Sequence, residues 1–331
     1  MFVLRSCRYI EVKMKITFPN AYLVADGSLW NDHIIPQQLF DGGVKSIIMG
    51  VYQQWSGGKY ILHPNCERIL NQIVTDGRFI LQAYYYYYPE KDPIAEANWF
   101  IDTIQAKKYP VTWAWADCEA FKAEMDPHAR SEQNRRFCEQ LKVRFPKMGV
   151  YTGKWYIDGY APQMNTWLNK YLAWVPQYGR QPKEPVQMTW DVLKASWLPN
   201  YDVIIAPGQT GLMVGHQFTG DKCYLPGFYD AFSRVQALDV SLFTKEFIDT
   251  LGTTPAPVPT PIPTPIPTPN PGYTVYIVSY DRVNVRAKPD SNSTWVRFAV
   301  RDERLKVVEI HNSWALLTDG TYIFADFIRK A

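Results

Sequence analysis

Residues 111–121 read V-T-W-A-W-A-D-C-E-A-F. An apolar run ends abruptly on two acids, Asp117 and Glu119. Residues i and i+2 of a strand face the same way, so both carboxylates point into one space. Many surface strands end in D-x-E, and there the acids are simply solvated. A buried strand that delivers two carboxylates at its C-terminal end is hard to explain that way. Further strand-like runs lie on either side, at Ala21–Ala25, Ser46–Val51, Phe79–Tyr86, Met148–Tyr151, Leu172–Val175, Val186–Thr189 and Met213–Phe218. With Val111–Ala116 they make about eight. Helical patterns over Cys66–Thr75, Pro93–Ala106 and Ser131–Arg144 alternate with them, and thin out after residue 170. The alternation predicts an α/β fold with a parallel sheet, closed as a barrel. In such barrels the chemistry gathers at the C-terminal ends of the strands.

The chain has 331 residues, 47% hydrophobic and 20% charged, which is enough to bury a real core and excludes wholesale disorder. No uninterrupted apolar run is long enough for an ordinary membrane-spanning helix. A net charge of +3, from 35 basic and 32 acidic residues, gives no electrostatic reason to expect a nucleic-acid or membrane partner. A monomer is expected. The cysteines Cys7, Cys66, Cys118, Cys138 and Cys223 are odd in number and scattered, so neither a disulfide framework nor a structural zinc site is indicated. They suit synthesis in a reducing cytoplasm. The first ten residues lack the features of a signal peptide. Met14 directly precedes the first strand-like patterning, so residues 1–13 are read as an extension with little structural role.

Between Pro255 and Pro271 every second residue is proline. Proline removes the amide donor and fixes φ, so the segment is read as a polyproline II spacer of roughly 50 Å. The domain reading is therefore an extension at 1–13, a barrel at 14–252, a linker at 253–272 and a small unit at 273–331. The last unit alternates short β-rich runs with turns: Tyr273–Tyr280, Val283–Arg286, Trp295–Val300, Leu305–Ile310, Trp314–Leu317 and Tyr322–Phe327. That pattern predicts a small β-barrel. Its V-N-V-R-A-K-P-D, L-K-V-V-E and N-S-W-A-L-L strings resemble the bacterial SH3 domain family, which implies a wall-binding appendage. The family's usual glycine-tryptophan near the last strand is replaced here by Tyr322-Ile323-Phe324.

Other acids sit where strands of the first region end. Asp26 closes the first strand, and Asp239, in A-L-D-V-S-L-F, follows a strand-to-loop region. Asp239 is either a fourth carboxylate or a helix or turn cap. The five histidines show no zinc-binding spacing, and nucleophile-elbow, Walker and dinucleotide motifs are absent. Carboxylate chemistry remains. Like charges held close raise one pKa, which keeps one carboxyl protonated near neutral pH to act as an acid.

Seven strings occur in order: A-D-G-S-L-W, A-Y-Y-Y, W-A-D-C-E, G-V-Y-T-G, L-A-W-V-P-Q-Y, H-Q-F-T-G and L-D-V-S-L-F. Through them residues 21–243 resemble glycoside hydrolase family 25, the lysozyme-type muramidases. The resemblance implies a flattened TIM-like barrel of five strand–helix units followed by three strands. It implies a catalytic cluster of Asp26, Asp117, Glu119 and Asp239, with Glu119 as proton donor and Asp117 steadying the developing positive charge. It implies no cofactor and no metal. Two departures fall in the groove: the family's tyrosine-histidine appears within Tyr84–Tyr88 without the histidine, and His216 replaces a tryptophan.

Tyr86, Tyr88, Tyr151 and Trp174 lie at or near predicted strand ends, where sugar faces would stack, with Gln217 as a polar neighbour. Each serves equally well as core. The expected function is cleavage of the β-1,4 bond between N-acetylmuramic acid and N-acetylglucosamine of bacterial peptidoglycan. The expected origin is a phage or prophage endolysin released through a holin. A non-catalytic wall- or glycan-binding protein and a barrel hydrolase of another polysaccharide, such as chitin, are the alternatives. Retention through the substrate's acetamido group is implied by the resemblance. The D-x-E spacing alone fits either a close pair, about 5–5.5 Å, or a wide one, about 6.5–9.5 Å.

Overall fold

The computed structural model describes residues 12–331 apart from 180–181, 253–272, 281, 291–292, 294 and 312. The proline-rich segment, most of the N-terminal extension and Cys7 lie outside the described residues. Contacts divide the chain into two compact units, Met1–Thr260 and Pro261–Ala331.

Eight strands of the first unit close into a barrel. They are β1 (Ala21–Gly27), β2 (Val44–Gly50), β3 (Ile80–Tyr86), β4 (Trp113–Asp117), β5 (Met148–Tyr151), β6 (Leu172–Pro176), β7 (Met213–Gln217) and β8 (Asp239–Thr244). Sequence neighbours pair all the way round. β1 to β7 are parallel, and β8 runs antiparallel to both β7 and β1. Helices α1 (Pro36–Asp41), α2 (Pro64–Asp76), α3 (Pro93–Lys107), α4 (Pro127–Arg144) and α5 (Lys154–Tyr160) follow β1 to β5 in turn. This is the expected series of five strand–helix units and three strands. The first four helices each open on proline, whose missing N–H and fixed φ cost nothing there. Asp92 and Asp126 cap α3 and α4 by accepting bonds from backbone N–H groups of the first turn.

Two expectations are corrected. Val186–Thr189 is not a barrel strand: only Val186–Gln187 is extended, and it pairs with Cys223–Tyr229 in a separate sheet. The eighth staves position belongs to Asp239–Thr244, read from the sequence as a strand-to-loop region. Its middle residues are buried on both faces, so the polar-apolar alternation that marks a half-exposed strand is missing. Strand pairing is also present before Met14. Val12–Met14 pairs antiparallel with Val203–Ile205, so Val12 and Lys13 are part of the fold rather than of a dispensable extension.

Alternation along the strands separates two cores. Outward residues such as Leu23, Ile47, Leu81 and Val150 pack under the helices. Inward residues Val24, Ile48, Ile80, Trp115, Trp174 and Phe243 fill the lumen together with Phe247, Ile248 and Leu251. The last three come from the turn of helix Lys245–Thr250 and its end, directly after β8, at the end of the barrel remote from Asp239. Trp115 is the central plug. It is fully buried, its Nε1 donates to Gln82 Oε1 at 2.8 Å, and its ring meets those of Trp174 and Phe243 at 5.6 and 5.7 Å. Glycine at 149 makes room for it: a Cβ there would come within 2.4 Å of the indole and 2.8 Å of the Leu172 carbonyl oxygen.

The second unit is one antiparallel sheet of seven strands: Thr274–Val278, Arg282–Arg286, Trp295–Val300, Arg304–His311, Trp314–Leu317, Tyr322–Phe324 and Ile328–Lys330. Val278, Val285, Leu305, Ala315 and Ile323 are among its buried residues. The run read as one strand to Phe327 breaks at a 3-10 turn, Ala325–Phe327, before the final strand.

Emptying the lumen tests this account of the barrel. Trp115→Ala removes a fully buried indole and leaves Gln82 Oε1 without its donor, and should cost about 3–5 kcal/mol in chemical denaturation. A loss under about 1 kcal/mol would mean that the lumen is not close-packed around Trp115.

Candidate active site

Strand polarity explains why acids far apart in sequence meet. Asp117 is the last residue of β4 and Asp26 lies next to the end of β1. Asp239 is the first residue of β8, and because β8 is antiparallel its start lies at the same mouth of the barrel. Asp26 and Asp239 are direct partners across the β1–β8 ladder. Glu119 lies two residues beyond β4, yet the backbone stays extended. Tyr87 N–H donates to Asp117 O at 3.1 Å, Cys118 N–H donates to Tyr151 O at 2.9 Å, and Thr152 Oγ1 donates to Cys118 O at 2.7 Å.

A cavity of about 200 Å3 at this mouth brings Asp26, Asp117, Glu119 and Asp239 together with Tyr86, Tyr151, Trp174 and Gln217. Tyr88 does not line it. Its ring sits edge-on against Tyr86 at 5.1 Å, with Lys91 Nζ 5.5 Å from its centre. Trp174 is at the floor, buried, with its Nε1 donating to Ser241 Oγ at 2.9 Å and its ring against Tyr151 at 4.4 Å. It is core as much as lining. His216 faces away from the cavity: its Nε2 lies 2.9 Å from Gln177 O and its ring meets Tyr201 and Phe218. Burial pushes its pKa down to about 4, so the ring is neutral near pH 7. The tryptophan-to-histidine departure therefore does not touch the groove directly.

Four lining residues escaped the sequence reading: Ser28, Trp30, Tyr52 and Tyr84. Trp30 is 79% exposed and also lines an adjoining cavity of about 270 Å3 with Asp26, Asn31, Gln236 and Asp239. Its place in A-D-G-S-L-W, just past the first strand end, was the available signal. Tyr84 and Tyr52 carried none, since their hydroxyls meet at 2.9 Å across two different strand ends.

The electrostatics differ from the like-charge argument in their leading cause. Burial is foremost for every acid. It raises Glu119 from 4.5 to about 7. Burial, then the charges of Glu119 and Asp221, raises Asp239 from 3.8 to about 7. Asp117 and Asp26 are pushed well above their ordinary range by burial first, with Glu119 next for Asp117 and Asp239 next for Asp26. Asp117 Oδ1 is buried and has no hydrogen-bond partner among the described residues. An orphaned acceptor in a polar cavity is one that a ligand N–H or O–H can satisfy.

These shifts fix a sign for stability. A carboxyl whose folded pKa lies above its unfolded value contributes stability fully below the unfolded pKa and loses it as pH rises through the folded pKa. For Glu119 the window is from 4.5 to about 7, on the order of 3 kcal/mol at 1.36 kcal/mol per unit. Glu119→Gln should therefore be more stable than the native chain at about pH 8, by up to that amount, with the gain vanishing towards about pH 4. Urea unfolding at both pH values measures it, and an equal effect at both would contradict the raised pKa.

Residues 25–199 match the family described as Glycosyl hydrolases family 25. No match was found among curated proteins. Among solved structures, muramidase from Trichobolus zukalii is similar at 14% identity over 71% of this chain and 99% of its own, with a TM-score of 0.49. The bacterial lysozyme from Streptomyces coelicolor is similar at 14% identity over 71% and 98%, TM-score 0.48. Muramidase from Acremonium alcalophilum is similar at 15% identity over 70% and 98%, TM-score 0.48. The family match spans more than half of the chain and runs from the end of β1 through β6, with Asp26, Asp117 and Glu119 inside it, and the chain belongs to glycosyl hydrolases family 25.

Proposed function

We propose that this glycoside hydrolase is an N-acetylmuramidase that cuts the β-1,4 bond between N-acetylmuramic acid and N-acetylglucosamine in peptidoglycan. The observation that carries the reading is that Glu119, whose pKa burial raises to about 7, and the orphaned Asp117 Oδ1 line one aromatic-walled cavity. Glu119 gives its proton to the leaving oxygen as the glycosidic bond breaks. The acetamido oxygen of the sugar on the non-reducing side attacks C1, and Asp117 Oδ1 accepts the acetamido N–H as the positive ring forms. Glu119, now a carboxylate, takes a proton from water, and the hydroxide attacks C1 to restore the acetamido group. Burial strengthens each of these charge interactions relative to water. Asp26 and Asp239 complete the cluster, and Tyr86 and Tyr151 supply faces for the sugars.

The second unit is proposed as a bacterial SH3-like wall-binding module. It carries a cleft of about 880 Å3, walled by Phe298, Trp314, Phe324 and Phe327 and edged by Asn284, Arg286 and Asp290. A cleft of apolar walls with a few polar groups suits a ligand. The pairing of such a module with a muramidase supports an endolysin of phage or prophage origin, made in the host cytoplasm, released through a holin and acting on the wall as a monomer.

Mass spectrometry of fragments released from purified walls tests the bond: muramic acid reducing ends are expected, whereas N-acetylglucosamine reducing ends or no cleavage would overturn the reading. Glu119→Gln should lower the rate by about 10²–10⁴-fold, and Asp117→Asn should also be severe. In the native enzyme kcat/KM should fall as pH rises through about 7, where Glu119 loses its proton. Activity that stays level to well above that pH would remove Glu119 from the acid role. A chain ending at Gly252 should cut soluble glycan strands at nearly the full rate and clear whole cells poorly. Loss of activity on soluble strands as well would count against a separate targeting unit.

A further inference from the structure

Gln217 was expected to meet the substrate, but its amide has no capacity left. An amide oxygen accepts two hydrogen bonds and an amide nitrogen donates two. Tyr151 OH and Tyr178 OH each donate to Gln217 Oε1 at 2.6 Å. Gln217 Nε2 donates to Asp26 Oδ2 at 3.1 Å and, more weakly, to Asp239 Oδ2 at 3.4 Å. All four positions are filled by the protein, and the side chain is buried. The pattern also fixes which way the amide faces. Its nitrogen lies on the Asp26–Asp239 side, where it donates to a carboxyl oxygen of each acid. The two hydroxyls, donating from the other side, hold the oxygen there.

We propose that Gln217 is a positioning residue: held by Tyr151 and Tyr178, its amide clamps Asp26 and Asp239 across the β1–β8 seam. The clamp draws on four separate places, with Gln217 at the end of β7, Tyr151 at the end of β5, Tyr178 in the loop after β6, and the two acids at the closure of the barrel. Barrel closure is where strand polarity reverses, and Asp26 and Asp239 face each other there with no cation acting on them among the described residues. A neutral donor shared between them lets both acids stand in one mouth without adding a charge that would also draw on Asp117 and Glu119. Among the described residues, the titratable groups that line the two cavities with Asp26 are the carboxyls of Asp239, Glu119, Asp117 and Asp221 and the phenols of Tyr52, Tyr84, Tyr86 and Tyr151, with Tyr178 behind Gln217, and all are acids. The amide donor of Gln217 opposes the rise that burial and Asp239 impose on Asp26. Loss of a hydrogen bond to the charged form raises a carboxyl pKa.

The proposal rests on the muramidase reading only for its kinetic arm. Carbon-13 carboxyl titration of Asp26 in the full chain, native and Gln217→Leu, is the direct test. The Asp26 midpoint should rise by about one unit. In Tyr178→Phe, which removes one of the two bonds that fix the amide and alters a partly exposed side chain, it should rise by less. With peptidoglycan as substrate, Gln217→Leu should lower kcat by about 10- to 100-fold with KM changed less than about twofold, as expected for displaced acids rather than a lost sugar contact. Tyr178→Phe, which keeps the buried amide in place, covers the case in which Gln217→Leu fails to fold. An unchanged Asp26 midpoint in the folded variants would overturn the proposal, as would a raised KM with kcat intact. If the native chain releases no wall fragments while the Asp26 midpoint still moves, the function fails and the clamp stands.

Discussion

Four carboxyl groups share the mouth of a barrel whose lumen is filled with aromatic rings, and their removal from bulk water governs most of what this molecule does. Water cannot reach the acids from below, because Trp115, Trp174 and Phe243 occupy the lumen and Phe247 closes its far end. Desolvation disfavours the charged form of each acid, and it is the leading cause of all four raised pKa values. The barrel core and the chemistry are therefore one arrangement. The packing that holds β4 in place also dries the site that β4 delivers. Such a site weakens the fold above neutral pH, which is the usual conflict between stability and activity at buried acids.

Much of this was legible in the sequence. W-A-W-A-D-C-E announced a buried strand ending in two acids, and the strand–helix alternation announced the barrel. The five units and three strands followed from the family resemblance, and the structure has them. Asp239 is the instructive case. Its strand was not recognised, because D-V-S-L-F-T is buried on both faces and carries no alternation, yet the residue itself was singled out. Adjacent acids in the sequence point to like-charge repulsion, whereas burial leads the pKa shifts, because burial by side chains on other strands has no local signal. Trp30, Tyr52 and Tyr84 belong to the cavity through the same kind of three-dimensional convergence.

Gln217 shows a different limit. Residue type and position mark it as a groove residue and it lines the cavity, but the number of its amide positions already taken depends on Tyr151, Tyr178 and two acids from the barrel seam. Only a count of donors and acceptors separates a residue that touches sugar from one that holds the acids. Cys118 makes a similar point. It sits between Asp117 and Glu119, yet its side chain turns outward, buried, with its Sγ 3.9 Å from that of Cys138 on α4. Strand alternation puts the thiol on the helix side and the acids in the mouth.

The central claim is that burial holds a proton on Glu119 near neutral pH. Infrared difference spectra of the native chain against Glu119→Gln, recorded across pH, isolate the protonated carboxyl band of that one residue. The account predicts that the band disappears with a midpoint near 7, and a midpoint near the ordinary value of 4.5 would contradict it.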